Sequence, residues 1–544
     1  MQRYELKRHV SRRLRWGRRV GPAQPERELS LSVLLHAKDE DALEEALRAV
    51  STPGGAEYGR YLRAEEVRHL IAPGYQDLDA VVAWLTGSGL TVDAVAGART
   101  VVRARGSAEA VSRALEVPLA IYRFPGLRRT RFAAEANPKV PAALAPLVRG
   151  IAGLNDLPAA RRIPAIPAPK RSRVARRGPI DARGPGGGYT PDVIRRAYAA
   201  GGGGTGERIA ILQFGGGFSA RDFGTFCAQY GLPDGAVSEV SVSGGRNDYR
   251  GKTGDGDVEV ALDADWVRAA APEAAIDLFW VPNEDRGWVD FLSALLDRPE
   301  ALRPSAVSIS WGFPEDGFST SRRYDQTRQL FQAAGLLGIS FLSASGDWGA
   351  SDEVPGTEWF DGQRHVDFPS VVPEVTGVGG TRLVPTATGF AEAAWNDGEE
   401  GGATGGGFSR FVRVPAWQEA ALGKRAGVTG RGVPDVAAVA SPDPGLSIHV
   451  HGAWGAAGGT SVAAPIWAGF VAQLNQARRA AGRARLGAAN PALYAAARDR
   501  RRPFRDIARG DNSYAGVKGF SAEEGWDAAT GLGSPDVTTL AKVL

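Results

Sequence analysis

Residues 208–217 read RIAILQFGGG, an apolar run interrupted only by Gln213 and closed by three glycines. A run of that kind predicts a strand buried on both faces, ending in a tight turn. Three further runs have the same character: AIDLFWV at 275–281, AVSISW at 306–311 and ISFLSAS at 339–345. Helical periodicity lies between them, over Glu259–Ala271, Trp288–Leu296 and Ser321–Ala334. The alternation predicts an α/β unit over residues 189–544, with a mostly parallel sheet and helices on both faces. In such sheets chemistry collects beyond the carboxyl ends of the strands.

Upstream the pattern changes. LSLSVLL (29–35) alternates as a strand, and DEDALEEALRAV (39–50) carries a helical stripe of Leu43, Leu47 and Val50. A helix over Gln76–Leu85, two strand-like segments and a helix over Ser107–Leu115 follow. Together these predict a small α+β domain of split βαβ type. Residues 163–188, IPAIPAPKRSRVARRGPIDARGPGGG, have no periodicity and are rich in Pro, Arg and Gly, as in an extended spacer or a cleavable joint. The expected division is a basic tail at 1–24, a small domain at 25–157, a linker at 158–188 and the large domain at 189–544.

With 544 residues the chain is too long for one ordinary core, and 43 % apolar with 23 % charged residues suits a soluble globular protein. The net charge of +4 hides an asymmetry. Residues 1–22 and 161–183 each hold eight Arg/Lys against one acid, so the rest of the chain is acidic. Nucleic-acid binders place positive charge on the folded domain. Here it falls on expected tail and linker, and no nucleic-acid partner is expected. The single cysteine, Cys227, excludes an intrachain disulfide and reads as a small core residue. No apolar run reaches eighteen residues, so no membrane helix is expected. The basic N-terminus has no apolar run after it, so no ordinary secretory signal peptide is recognised.

Three places hold candidate chemistry. In DGDVEVALDADWVRAA (255–270), Glu259 and Asp263 are four residues apart and share one helix face. Among apolar neighbours they would repel and hold a proton at raised pKa. The spacing alone equally suits a solvated acidic helix, with Asp257 and Asp265 as further surface charge. In WGAAGGTSVAAPIWAGF, Ser461 follows Gly458, Gly459 and Thr460 at the start of a long apolar helix. Small residues admit a substrate backbone there, and helix dipoles favour a developing anion. A plain capping role for Thr460 or Ser461 is the alternative. Pro465 is expected in the first turn, where its missing N–H costs little. The third place is Asp347, at the end of a strand in Ser345-Gly346-Asp347. A protonated acid there could donate to an oxyanion, although a turn-forming Asp reads the same.

The six histidines are His9, His36, His69, His365, His449 and His451. None stands in a strand-turn-helix setting suited to a Ser–His–Asp triad. His449 and His451 in SIHVHGAW face one way on a strand but lack a third metal ligand. The G-x-S-x-G elbow is also absent. A serine hydrolase without imidazole needs a carboxylate base, which works when pH is near its pKa.

These motifs in this order resemble the sedolisin family of serine-carboxyl peptidases, in the pattern of its kumamolisin-like members. The resemblance spans nearly the whole chain after about residue 25. It includes YTPDVIRRAY (189–198) at the opening of the mature domain and STPGGAEYGRYL (51–62) in an inhibitory prosegment. It implies a subtilisin-like catalytic domain preceded by a ferredoxin-like prodomain. It further implies Ser461 as nucleophile, Glu259 as base, Asp263 as its supporting acid and Asp347 at the oxyanion. FRDIARGDN and GWDAATGLGSP resemble the family's calcium loop, implying one Ca²⁺ held by Asp506 and Asp527 and by the carbonyls of Ile507, Glu523 and Gly525. Kumamolisin-like members carry Glu in the first core strand where this chain has Gln213, while Trp311 is retained.

The implied activity is hydrolysis of protein or peptide substrates at acidic pH. The protein would be a secreted, self-processing zymogen, monomeric, with its own prodomain as inhibitor and a cut within 170–190. Competing readings are a non-catalytic binding protein on the same scaffold, a histidine-dependent subtilase, and nucleic-acid binding through the Arg tracts.

Overall fold

The computed structural model describes the chain apart from residues 1, 128, 163–165, 168–182, 252–254, 317–321, 356, 358–359, 424–426 and 429. In the small unit, β1 (Glu28–Leu35) leads to α1 (Glu40–Ser51), α2 (Ala64–Ile71) and α3 (Tyr75–Gly87). β2 (Thr91–Ala96), β3 (Val101–Ser107), α4 (Ala108–Leu115) and β4 (Val148–Ala152) follow. The sheet order is β2-β3-β1-β4, with every pair antiparallel. Asp39 caps α1 and Ser107 caps α4, each side chain accepting a backbone N–H of the first turn.

The basic N-terminal residues differ from the solvated tail expected. Arg3–Glu5 pairs with Lys139–Pro141, and Arg18–Pro22 pairs with Leu119–Arg123. Arg13 is buried with its guanidinium 4.4 Å over the Phe313 ring of the large unit. Cation–π contact and acid partners hold this charge against the protein. Arg19 pairs with Glu135, and at the unit boundary Glu40 pairs with Arg149 and His36. These partners hold the Glu40 and Glu135 carboxyls below their usual range.

The large unit begins its sheet with β5 (Arg208–Gln213), α5 (Ala220–Tyr230), β6 (Val237–Ser241), α6 (Asp255–Ala270) and β7 (Ala275–Trp280). It continues with α7 (Gly287–Leu296), β8 (Ala306–Ile309), α8 (Arg322–Leu336) and β9 (Ser340–Ala344). β10 (Val375–Thr386), β11 (Gly389–Ala394) and β12 (Val436–Val439) complete the sheet. The hairpin β13 (Leu446–Val450) and β14 (Ala453–Gly458) then feeds α9 (Thr460–Ala480). The sheet order is β6-β7-β5-β8-β9-β10-β11, with β12 also on β10, and every pair is parallel except β10 with β11. Helices α6 and α9 pack together on one face, and α7 and α8 on the other.

The small unit docks on α7 and α8. Leu43 and Leu47 of α1 share one apolar cluster with Phe291, Leu292 and Phe331 of the large unit. Around that cluster the large unit supplies acceptors. Asp297 takes the Gly97 and Ala98 N–H groups at 2.8 and 3.0 Å, Asp285 takes the Gly153 N–H at 2.8 Å, and Asp290 takes the Ser32 hydroxyl at 2.9 Å.

Candidate active site

Helix α6 is largely enclosed. Glu259 and Asp263 are both fully buried, and so is the acid pair on the opposite face, Asp257 and Asp265. The solvated-helix alternative therefore does not hold. Asp263 Oδ2 accepts the Gln213 Nε2 hydrogen at 2.7 Å, and Oδ1 accepts the Ser310 hydroxyl at 2.7 Å. Gln213 Oε1 in turn accepts the Trp311 indole N–H at 3.1 Å. Burial raises the Asp263 carboxyl well above the usual range, although both donors oppose it.

Ser461 is the second residue of α9, after Gly459 at φ 122°, a conformation open to glycine. The Ser461 hydroxyl is buried and has no hydrogen-bond partner among the described residues. Its neighbour Thr460 donates its N–H to Asp347 Oδ1 at 2.7 Å, and the Thr460 hydroxyl lies 2.7 Å from the same oxygen. Asp347 Oδ2 is buried without a partner among the described residues. Burial pushes the Asp347 carboxyl up to about 7 against the two Thr460 donors. With Oδ1 occupied by donors, the proton of the neutral acid sits on Oδ2, leaving one buried O–H free to donate. Ser310 completes the circuit, with its hydroxyl 3.2 Å from the Ser461 carbonyl oxygen. Helix acid, strand-end acid and serine thus meet at one place through Ser310 and Thr460. Sequence reasoning missed Ser310, which sits in an apolar run without a distinguishing pattern.

The segment leaving the small unit enters this site. Arg161–Arg162 pairs antiparallel with Trp311–Gly312, and Ile166–Pro167 pairs antiparallel with Ala457–Gly458, just before Ser461. The Arg161 guanidinium donates to the Asp352 carbonyl, lies 3.3 Å from the Asp352 carboxylate and stacks 4.3 Å over Trp348. Asp367 lies behind the same strand, where a side chain at Gly312 would strike its carboxylate. Burial raises both Asp352 and Asp367, and Arg161 opposes it.

The histidines of the large unit are engaged elsewhere. His365 pairs with Asp316 at 2.8 Å and Asp361 at 3.0 Å, and these partners lift it to about 9 despite burial. His449 faces Asp222 at 3.3 Å and His451 faces Asp257 at 3.1 Å. In the C-terminal loop, Asp527 is buried and accepts the Ala529 and Thr530 N–H groups, each at 2.8 Å. Asp506 is exposed and accepts the Gly525 N–H at 3.0 Å, which ties the two halves of the loop together. Glu353, Asp361 and His365 form the one side-chain cluster of metal-ligating type and spacing found among the described residues.

A buried serine at a helix start, joined through Ser310 and Thr460 to a buried helix acid and a strand-end acid, is an arrangement of the serine-carboxyl peptidase kind. Residues 16–157 match the family model "Pro-kumamolisin, activation domain". The chain is 35 % identical to kumamolisin from Bacillus sp. (strain MN-32) over 530 residues, covering 95 % of this chain and 91 % of that one. It is 29 % identical to sedolisin from Pseudomonas sp. (strain 101) over 521 residues, covering 93 % and 86 %. The solved structure of Pseudomonas sedolisin, a serine-carboxyl proteinase complexed with pseudo-iodotyrostatin, aligns at TM-score 0.56 and 26 % identity, covering 66 % of this chain and 98 % of that one. The chain belongs to the kumamolisin and sedolisin family. It is an acid-acting serine endopeptidase working through an acyl-enzyme, made as a self-processing zymogen.

Proposed function

We propose that Ser461 attacks the scissile carbonyl while Glu259 takes its proton and later passes it to the leaving amine. Asp263 orients Glu259 from one helical turn away. Asp347, as neutral acid, donates from Oδ2 to the tetrahedral oxyanion beside the Ser461 N–H, and water then hydrolyses the acyl-enzyme. The observation that carries this reading is the fixing of Asp347 Oδ1 by Thr460, immediately before Ser461, with Oδ2 left to donate.

The order of the small sheet, with helices joining β1 to β2 and β3 to β4, supports a ferredoxin-like inhibitory prodomain within residues 25–157. Residues 158–188 serve as its processing segment and 189–544 as the catalytic domain. Residues 170–182 of the expected cleavage region lie outside the described residues. The two strand pairings instead support a first cut between Arg162 and Ile166, because they bracket Ser461 in the chain direction of a substrate. Incubation at pH 4 followed by N-terminal sequencing tests this. The earliest large fragment should begin between residues 163 and 166, and an earliest fragment beginning after residue 170 would refute the register. The Asp352 and Asp367 pocket that receives Arg161 favours substrates with a basic side chain at the matching position.

One Ca²⁺ in the C-terminal loop is supported by an all-oxygen donor set: the carboxylates of Asp506 and Asp527 and the carbonyls of Ile507, Glu523 and Gly525. An ion at about a hundred times its Kd would add ~2.7 kcal/mol to stability. Chelation at neutral pH should therefore lower the calorimetric Tm by a few degrees and Asp506→Ala should remove the difference. An unchanged Tm on chelation would argue against the site. The relatives support an extracellular setting and action on proteins or peptides, and the enzyme is taken to act as a monomer. No helix among the described residues is long and apolar enough to cross a membrane.

A further inference from the structure

Pro465 lies inside α9, in its second turn and not its first. Its nitrogen has no hydrogen, so the carbonyl four residues earlier loses its helical donor. That carbonyl is Ser461's own. The nearby group is the fully buried Ser310 hydroxyl, 3.2 Å from Ser461 O and 2.7 Å from Asp263 Oδ1.

A hydroxyl has one hydrogen to give. Ionised Asp263 attracts it, because a charged acceptor makes the stronger bond, and the Ser461 carbonyl then goes without. When Asp263 is protonated the outcome depends on which oxygen holds the proton. An indole N–H can only donate, so Trp311 fixes the Gln213 amide with Oε1 towards itself and Nε2 towards Asp263 Oδ2. A proton on Oδ2 would face that donor, so the proton goes to Oδ1. There it donates to the Ser310 oxygen, and the Ser310 hydrogen turns to the Ser461 carbonyl.

We propose that Ser310 is a positioning residue that couples protonation of Asp263 to the locking of the Ser461 main chain, with Gln213 and Trp311 selecting the oxygen that takes the proton. Gln213 faces Asp263 from β5, Ser310 from the end of β8, and Glu259 from one turn earlier on α6. Asp347 reaches Ser461 from the other side through Thr460. No Arg, Lys or His among the described residues pairs with Asp263. The inference rests on the roles proposed above for Ser461 and Asp263.

The test is kcat and KM against pH for the acid-activated enzyme as wild type, Ser310→Ala and Ser310→Thr, with Tm recorded for each and Ser461→Ala, taken through the same acid incubation, as control. Ser310→Ala should lower kcat about tenfold to a hundredfold, with KM changed by no more than about twofold. Losing a donor to the carboxylate should also carry the basic limb of the profile to higher pH. Ser310→Thr keeps the hydroxyl and should restore both rate and limb. An unshifted limb in Ser310→Ala, or equal losses in the Ala and Thr variants at unchanged Tm, overturns the coupling. Activity surviving in Ser461→Ala would instead overturn the assignment of the nucleophile.

Discussion

Ser461→Ala is expected to reduce kcat on a peptide substrate by about 10⁴-fold or more, the loss typical of removing a nucleophile from a hydrolase. No acyl-enzyme can form without the hydroxyl, and the oxyanion donor and binding alone leave a residual acceleration of about 10³–10⁴-fold over water. The same variant should fail to process itself and remain at its full 57.4 kDa after acid incubation. Its Tm should nevertheless match that of the unprocessed wild type, because the Ser461 hydroxyl has no hydrogen-bond partner among the described residues and its removal orphans no described group. Full-length mass after acid treatment, an unchanged Tm and absent turnover together separate loss of chemistry from loss of fold. Retained peptidase activity would mean that another residue is the nucleophile.

Asp347→Ala should cost about 10²–10³ in kcat, the range for an oxyanion donor. The upper end is expected, because the carboxyl also holds the Thr460 N–H and hydroxyl in place. Asp347→Asn separates these roles. Asn keeps an acceptor for Thr460 and a donor for the oxyanion, but it cannot ionise. In the wild type, the carboxyl near 7 donates below that pH and repels the oxyanion above it. The ratio of Asn-variant to wild-type kcat/KM should therefore rise from pH 4 to pH 8. If the two profiles superimpose apart from a constant factor, Asp347 does not supply the oxyanion proton.

The sequence carried those elements whose signal is local. Four buried strands could be read from their apolar runs, and α6 from the i, i+4 pair and its neighbours, because period and burial both leave marks in one segment. Ser461 and Asp347 stood out through their glycines. What escaped depends on distant partners. Ser310 looks like any small residue in a strand until Asp263 and Ser461 are brought to it. Asp352 and Asp367 acquire meaning from Arg161, nearly two hundred residues away. Arg13 belonged by composition to a solvated tail, and its packing on Phe313 has no sequence pattern. Pro465 falls a turn later than local pattern suggests, because helix entry depends on Gly459, which local propensity does not resolve.

Acid shifts the balance of stability differently in the two units. In the large unit Asp347 and Glu315 are each raised by burial to about 7, and Asp367 is raised too. Folding there takes up protons, so stability grows as the medium falls from about pH 7 towards the ordinary carboxyl range. In the small unit burial raises Asp156, but Glu40, Glu66 and Glu135 are held low by Arg and His partners. Their contribution is present above the ordinary carboxyl value and drains away as pH falls through the lowered one. The melting transitions of the two units should thus draw apart on acidification. The proton works as a ratchet, softening the guard while hardening what it guards. Once the guard is gone, a return to neutral medium finds only the part of the chain that neutrality disfavours.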